Sequence, residues 1–103
     1  MTLDQKRKIA ELIKGVEIQF GELVVPVRDT VIKAPATMLC VRDGQENWPL
    51  IGAIVDECER RGWSYNFDRC VCAVYDFYYP SLDKRTKTEA FCLAFLDAVE
   101  AGA

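Results

Sequence analysis

The chain has 103 residues, half of them hydrophobic and 28% charged, with a net charge of −3. That describes one globular domain, residues 1–103, with a modest core. The mild acidity and the lack of a lysine–arginine run long enough to track phosphates disfavour nucleic-acid binding, and no apolar run approaches the ~20 residues of a membrane span.

Two further compositional features narrow the chemistry. Lys6, Arg7 and Lys8 lead into a charged helix rather than an apolar segment, so no secretory signal is expected and the cytoplasm is the expected compartment. There are five cysteines and no histidine. An odd count leaves at least one thiol unpaired, and Cys40, Cys58, Cys70, Cys72 and Cys92 all fall on apolar stretches. Reduced, buried thiols acting as small hydrophobes are therefore expected. Cys70 and Cys72 alternate in a strand, so both point to one face. Zinc knuckles place two residues between ligands, so neither a metal nor a cofactor is expected.

In chain order, residues 2–14 read as a first helix. Thr2 and Gln5 have capping-box spacing, Ile9, Leu12 and Ile13 make a narrow apolar stripe that Leu3 and Ala10 extend, and Gly15 ends it. So charged a helix is expected on the outside. Residues 16–41 read as short strands: VEIQF, ELVVPVR, TVIKA and TMLCV, with a turn at Gly21-Glu22. Pro26 and Pro35 argue for edge strands. Arg42-Asp43-Gly44 is turn chemistry, and Asp43 and Glu46 are expected in a solvated loop rather than as paired acids.

The stretch from Asn47 to Tyr79 organises the rest. Asn47 caps a second helix and Pro49 suits its first turn. Ile51, Ile54, Val55 and Cys58 recur at helical spacing, while Asp56, Glu57, Glu59, Arg60 and Arg61 face elsewhere. Gly62 supplies the left-handed residue after the last turn. The period then changes to two. Trp63, Tyr65 and Phe67 alternate with polar residues, and residues 70–79 read as a central strand ended by Pro80. Two registers are open. A two-residue turn at Asp68-Arg69 pairs Tyr65 with Cys72; a turn one residue longer pairs it with Val71. Asp-Arg suits a primed turn poorly, which favours the longer one.

The loop 81–85 carries Asp83, Lys84 and Arg85. Thr86 and Glu89 have the spacing of a second capping box. In the last helix Phe91, Ala94, Phe95 and Ala98 form the core face, with Cys92 and Val99 at its edge. Leu93 and Leu96 fall on the far side, among Glu89, Asp97 and Glu100. A helix apolar on both sides is either sandwiched between layers or used for association.

The stretches Trp48–Trp63 and Thr88–Val99 (TEAFCLAFLDAV) resemble the phage ABA-sandwich family of small phage and prophage proteins, and MTLDQKRKIAEL resembles the opening of many short phage proteins. The resemblance covers about the last half of the chain. It implies an α+β fold, a small α/β sandwich with two to three helices on a mostly antiparallel sheet of three to five strands, and a phage origin. It implies no activity.

Catalysis is disfavoured. There is no histidine for proton transfer near neutral pH and no phosphate loop or nucleophile elbow, so no catalytic residue is assigned. The leading expectation is a small phage-derived binding protein in the host cytoplasm. It would inhibit by occluding a host protein such as a defence nuclease complex, in the manner of an anti-CRISPR. Its surplus of aromatics supports that reading, since tyrosine and tryptophan are favoured interface anchors. Tyr78, Tyr79, Asp83, Lys84, Arg85, Leu93 and Leu96 are the candidate contact residues. One alternative is a protein that sequesters a nucleotide or other small ligand, with Arg42, Arg69, Lys84 and Arg85 meeting phosphate. Another is a phage structural or assembly protein that dimerises through Leu93 and Leu96 on the C-terminal helix.

Overall fold

The computed structural model describes residues 1–27, 37–39, 46–76 and 86–103, and side chains within 1–25, 46–76 and 86–103. The fold is α+β. Three helices, α1 (Leu3–Leu12), α2 (Trp48–Arg61) and α3 (Lys87–Glu100), pack with two small antiparallel sheets. One sheet has the order β1 (Glu17–Gln19), β2 (Glu22–Val27), β3 (Thr37–Leu39). The other is a meander of β4 (Tyr65–Asn66), β5 (Val71–Cys72) and β6 (Tyr75–Asp76). The antiparallel strands are thus divided between two short sheets rather than joined in one.

The helix ends follow local chemistry. At α1 both halves of the Thr2–Gln5 capping box form, at 3.2 and 2.8 Å. At α2 the Asn47 side chain accepts from the Leu50 amide, and Gly62 takes a left-handed φ of 75°. The Trp63 amide then reaches Cys58 O and the Gly62 amide reaches Glu59 O, the paired bonds that close a helix on a left-handed residue. At α3 the Thr86 hydroxyl accepts from the Glu89 amide, but Glu89 does not complete the box: its carboxylate pairs with the Met1 amine.

The centre of the molecule is α3, not the 47–79 stretch. It packs against α1, α2, β5 and β6. Phe91, Ala94, Phe95 and Ala98 are fully buried, and Cys92 with them. Ile9 reaches the core from α1 and Leu50, Ile51, Ile54 and Cys58 from α2. α1 ends at Leu12 rather than running to 14 as expected, because Ile13 turns to an extended conformation and buries its side chain in the same core. Leu93 and Leu96, on the side of α3 that carries its acids, are 7% and 4% exposed. Elements cover α3 on more than one side, so the sandwiched alternative holds and neither leucine offers an association surface.

The β segments depart furthest from expectation. Tyr65 pairs with Cys72 and Asn66 with Val71, the register of the shorter turn. The favoured longer turn is wrong because residues 67–70 form a four-residue loop instead of a primed turn. The Cys70 amide donates to Phe67 O, the Asn66 side chain accepts from the Arg69 amide, and Cys70 itself takes φ +55°. Residues 70–76 are not one strand. The chain reverses at Ala73-Val74, so that Cys72 pairs with Tyr75. Ala73 also has φ +55°. Its amide donates to Ser64 O at 2.7 Å, and its carbonyl accepts from the Ser64 hydroxyl at 3.1 Å. Phe77, Pro80 and the rest of 77–85 lie outside the described residues, as do TVIKA, Pro35, Arg42-Asp43-Gly44 and Cys40-Val41.

In the first sheet the turn is Phe20-Gly21, one residue earlier than expected, with Gln19 opposite Glu22. Pro26 lies in β2, the middle strand. The sheet is staggered: β1 covers Glu22 to Val24 and β3 covers Val25 to Val27, so Pro26 has one neighbouring strand, as an edge residue has.

Candidate functional site

The starts of α2 and α3 and the 67–70 loop meet at one end of the molecule. Glu46, expected in solvent, sits on the first amides of α3. Its carboxylate accepts from the Lys87 amide at 3.1 Å, from the Thr88 amide at 2.8 Å and from the Thr88 hydroxyl. That hydroxyl in turn accepts from the Asn47 amide at 3.0 Å, and the Asn47 side-chain amide donates to Leu23 O at 3.3 Å. One buried polar chain therefore ties β2 to the starts of both helices. A carboxylate on unpaired helix amides is favourable both as a hydrogen-bond acceptor and through the helix dipole.

From this base an aromatic ladder rises to the surface. Phe91, fully buried, meets Phe67 edge-on at 5.5 Å, and Phe67 meets Trp48 at 5.6 Å and 61°. Trp48 is 63% exposed. Asp68 and Arg69, which follow Phe67 in the loop, are exposed, and Asp68 faces the Lys87 ammonium at 3.9 Å. The result is a large exposed ring supported from below by two others.

A second exposed ring lies on the β1–β2 turn. Phe20 is 94% exposed and takes φ +53°, a left-handed conformation that costs a non-glycine residue energy. Gly21 follows at φ +77°, so both central residues are left-handed, the geometry of a tight primed hairpin turn. The Lys6 ammonium donates to Gly21 O at 2.8 Å and fixes this turn against α1.

The end of α2 carries an ionic cluster. Glu57 was expected to face solvent, yet its side chain is only 7% exposed. Arg60 and Arg61, three and four residues on, fold back over it and donate to its carboxylate. The Arg60 hydrogen bond, reinforced by Arg61 and opposed by burial, holds the Glu57 carboxyl below its ordinary value. Arg61 also lies over the rings of Trp63 and Phe95, at 5.0 and 5.7 Å. Tyr65 donates to Glu59 at 2.8 Å, which raises the phenol's pKa.

Four cysteines, Cys58, Cys70, Cys72 and Cys92, are free and buried. Cys70 and Cys72 both turn toward α3, their sulfurs near Lys87 O at 3.8 Å and Phe91 O at 3.9 Å. Burial pushes the Cys70 and Cys92 thiols up. The sulfurs of Cys58 and Cys72 are 3.8 Å apart, and their shared hydrogen bond holds Cys58 below its ordinary value while pushing Cys72 up. Among the described residues no group of three or more histidine, cysteine or carboxylate side chains could hold a metal ion.

Of the contact residues expected from sequence, Tyr78, Tyr79, Asp83, Lys84 and Arg85 lie outside the described residues, and Leu93 and Leu96 are inside the fold. Trp48 and Phe20 went unnoticed. For Trp48 the signal was its place directly after the Asn47 cap, ahead of the apolar stripe. For Phe20 it was an aromatic beside the glycine of a two-residue turn. No known protein family, curated protein or solved structure matches the chain.

Proposed function

We propose that this is a small binding protein that acts by occluding a macromolecular partner, with Trp48 as its central anchor. The observation that carries the reading is the Trp48–Phe67–Phe91 ladder: a tryptophan 63% exposed yet supported by two further rings. Such a side chain presents a broad apolar face that loses little freedom on binding, as interface hot spots require. Asp68, Arg69 and Lys87 supply a polar rim. Asp83, Lys84 and Arg85 stay contact candidates on the sequence alone, since they lie outside the described residues. Phe20 is a second anchor.

The likeness of Trp48–Trp63 and Thr88–Val99 to the phage ABA-sandwich proteins supports a phage origin. The partner is then a host protein in the host cytoplasm, a defence nuclease complex being the leading candidate, and the effect is anti-CRISPR-like inhibition without catalysis. No helix among the described residues is long and apolar enough to cross a membrane.

The test is affinity capture from host lysate with tagged wild-type protein, followed by titration of the purified partner against wild type and Trp48→Ala. The expected result is a stoichiometric complex that Trp48→Ala weakens about 30-fold or more, the loss of one hot spot. Capture of no stoichiometric partner, or equal affinity for the variant, ends the reading.

A further inference from the structure

We propose that Cys58 and Cys72 are a redox-sensitive dithiol, which a peroxide-class oxidant converts to a disulfide that ties α2 to the β4–β5–β6 sheet. The two sulfurs are 3.8 Å apart and hydrogen-bonded, so a closure of about 1.8 Å brings them to the roughly 2.0 Å of a disulfide bond. They come from different elements, Cys58 from the last turns of α2 and Cys72 from β5.

The seat of Cys72 is suited to that small movement. β5 is two residues long and lies between two left-handed non-glycine residues, Cys70 and Ala73, each at φ +55°. Its partner strands are equally short. A strand held by so few ladder bonds between two strained residues opens locally at low cost, which is how a small oxidant reaches sulfurs that are 0% exposed at rest. Cys58 is the attacking thiol. The hydrogen bond shared with Cys72 favours its ionised form, aided by the Arg61 guanidinium three residues on and opposed by burial and by the Glu57 carboxylate.

The chemistry balances with hydrogen peroxide as the oxidant. The Cys58 thiolate attacks one peroxide oxygen, the O–O bond breaks, and the departing hydroxide takes the thiol proton as water. The resulting sulfenic acid is then attacked by the Cys72 sulfur. The S–O bond breaks, the S–S bond forms, and the Cys72 proton leaves with the hydroxyl as a second water. The two sulfurs are oxidised by two electrons, and the peroxide is reduced by two.

The experiment treats the native, reduced protein with hydrogen peroxide, blocks remaining thiols with N-ethylmaleimide in denaturant, and maps the products by fragmentation mass spectrometry. The expected result is a loss of two hydrogens localised to Cys58 and Cys72, reversed by dithiothreitol, with three of the five thiols still alkylated. The oxidised protein should melt about 10 °C higher, because closing the 58–72 loop removes conformational freedom from the unfolded chain. Cys92→Ser should keep the bridge and Cys72→Ser should lose it. Peroxide that leaves five alkylatable thiols, a bridge mapped to any other pair, or oxidation only to sulfinic acid overturns the proposal. The wild-type map alone decides it, whether or not a variant folds.

Discussion

Glu46 closes the start of α3 from a distance of 41 residues in sequence, its carboxylate taking the amides of Lys87 and Thr88. The residue that precedes one helix cap thus serves the next helix. Glu46→Ala leaves those amides and the buried Thr88 hydroxyl without this acceptor and should cost about 1–2 kcal/mol. Glu46→Gln keeps one acceptor oxygen and should lose about half as much. Urea denaturation of the three proteins checks both, and a variant within error of wild type would show that the cap contributes nothing.

Glu57 makes stability depend on pH in a defined direction. Its folded value is lowered from the ordinary 4.5, chiefly by Arg60. The native state therefore favours the ionised form. The contribution is complete above the ordinary value and is lost as pH falls through the lowered one. Arg60 is largely in water, so the pair is worth little more than an exposed one, about 1 kcal/mol. Glu57→Gln should be less stable than wild type by that amount at pH 7, and the gap should close in acid below the carboxylate range. A gap that widens on acidification would reverse the assignment.

Phe95 is fully buried in α3 and meets Trp63 at 5.8 Å. Phe95→Ala opens a cavity in the helix on which α1, α2 and the β4–β5–β6 sheet pack, and should cost about 3–5 kcal/mol. Leu3→Ala, on the half-exposed face of α1, should fall within about 0.5 kcal/mol of wild type. Thermal melts of the pair separate core from surface. Equal effects would mean that α3 is not the centre.

Phe20 opposes stability where it stands, on left-handed backbone with its ring in water. Phe20→Asn suits that turn position better and should raise stability by about 1 kcal/mol. If Phe20 is a binding anchor, the same change should weaken partner affinity about tenfold. A melting temperature that falls would show that the phenyl ring is held by the fold after all.

Much of the helical architecture was legible in the chain. Thr2 and Gln5, Asn47 and Pro49, Gly62, and Thr86 mark helix ends through bonds to residues within five positions, so local spacing carries them. The core face of α3 was legible for the same reason: Phe91, Ala94, Phe95 and Ala98 repeat at the helix period. The burial of the cysteines at 58, 70, 72 and 92 followed from their apolar surroundings.

The β segments were less legible. A run of alternating apolar residues from 70 onward fits one long strand as well as it fits two short ones. The reversal at Ala73 rests on Ser64, nine residues away, which takes both its amide and its carbonyl. The turn at 67–70 rests on the Asn66 side chain, a turn former whose signal went unused, and on a left-handed cysteine that propensity does not favour. Glu46 and Glu57 were misread alike, because a carboxylate reads as solvated until its partners are known.

The sequence by itself determined where the helices start, where α2 stops and the main inward face of each, because those follow from caps and periods that span at most a few turns. Only the tertiary structure decided that α3 is enclosed, so that Leu93 and Leu96 are core. It alone brought Cys58 beside Cys72, Glu46 onto α3, and Trp48 onto Phe67. Each of these is a contact between segments far apart in the chain, set by how whole elements pack, and no local pattern encodes it.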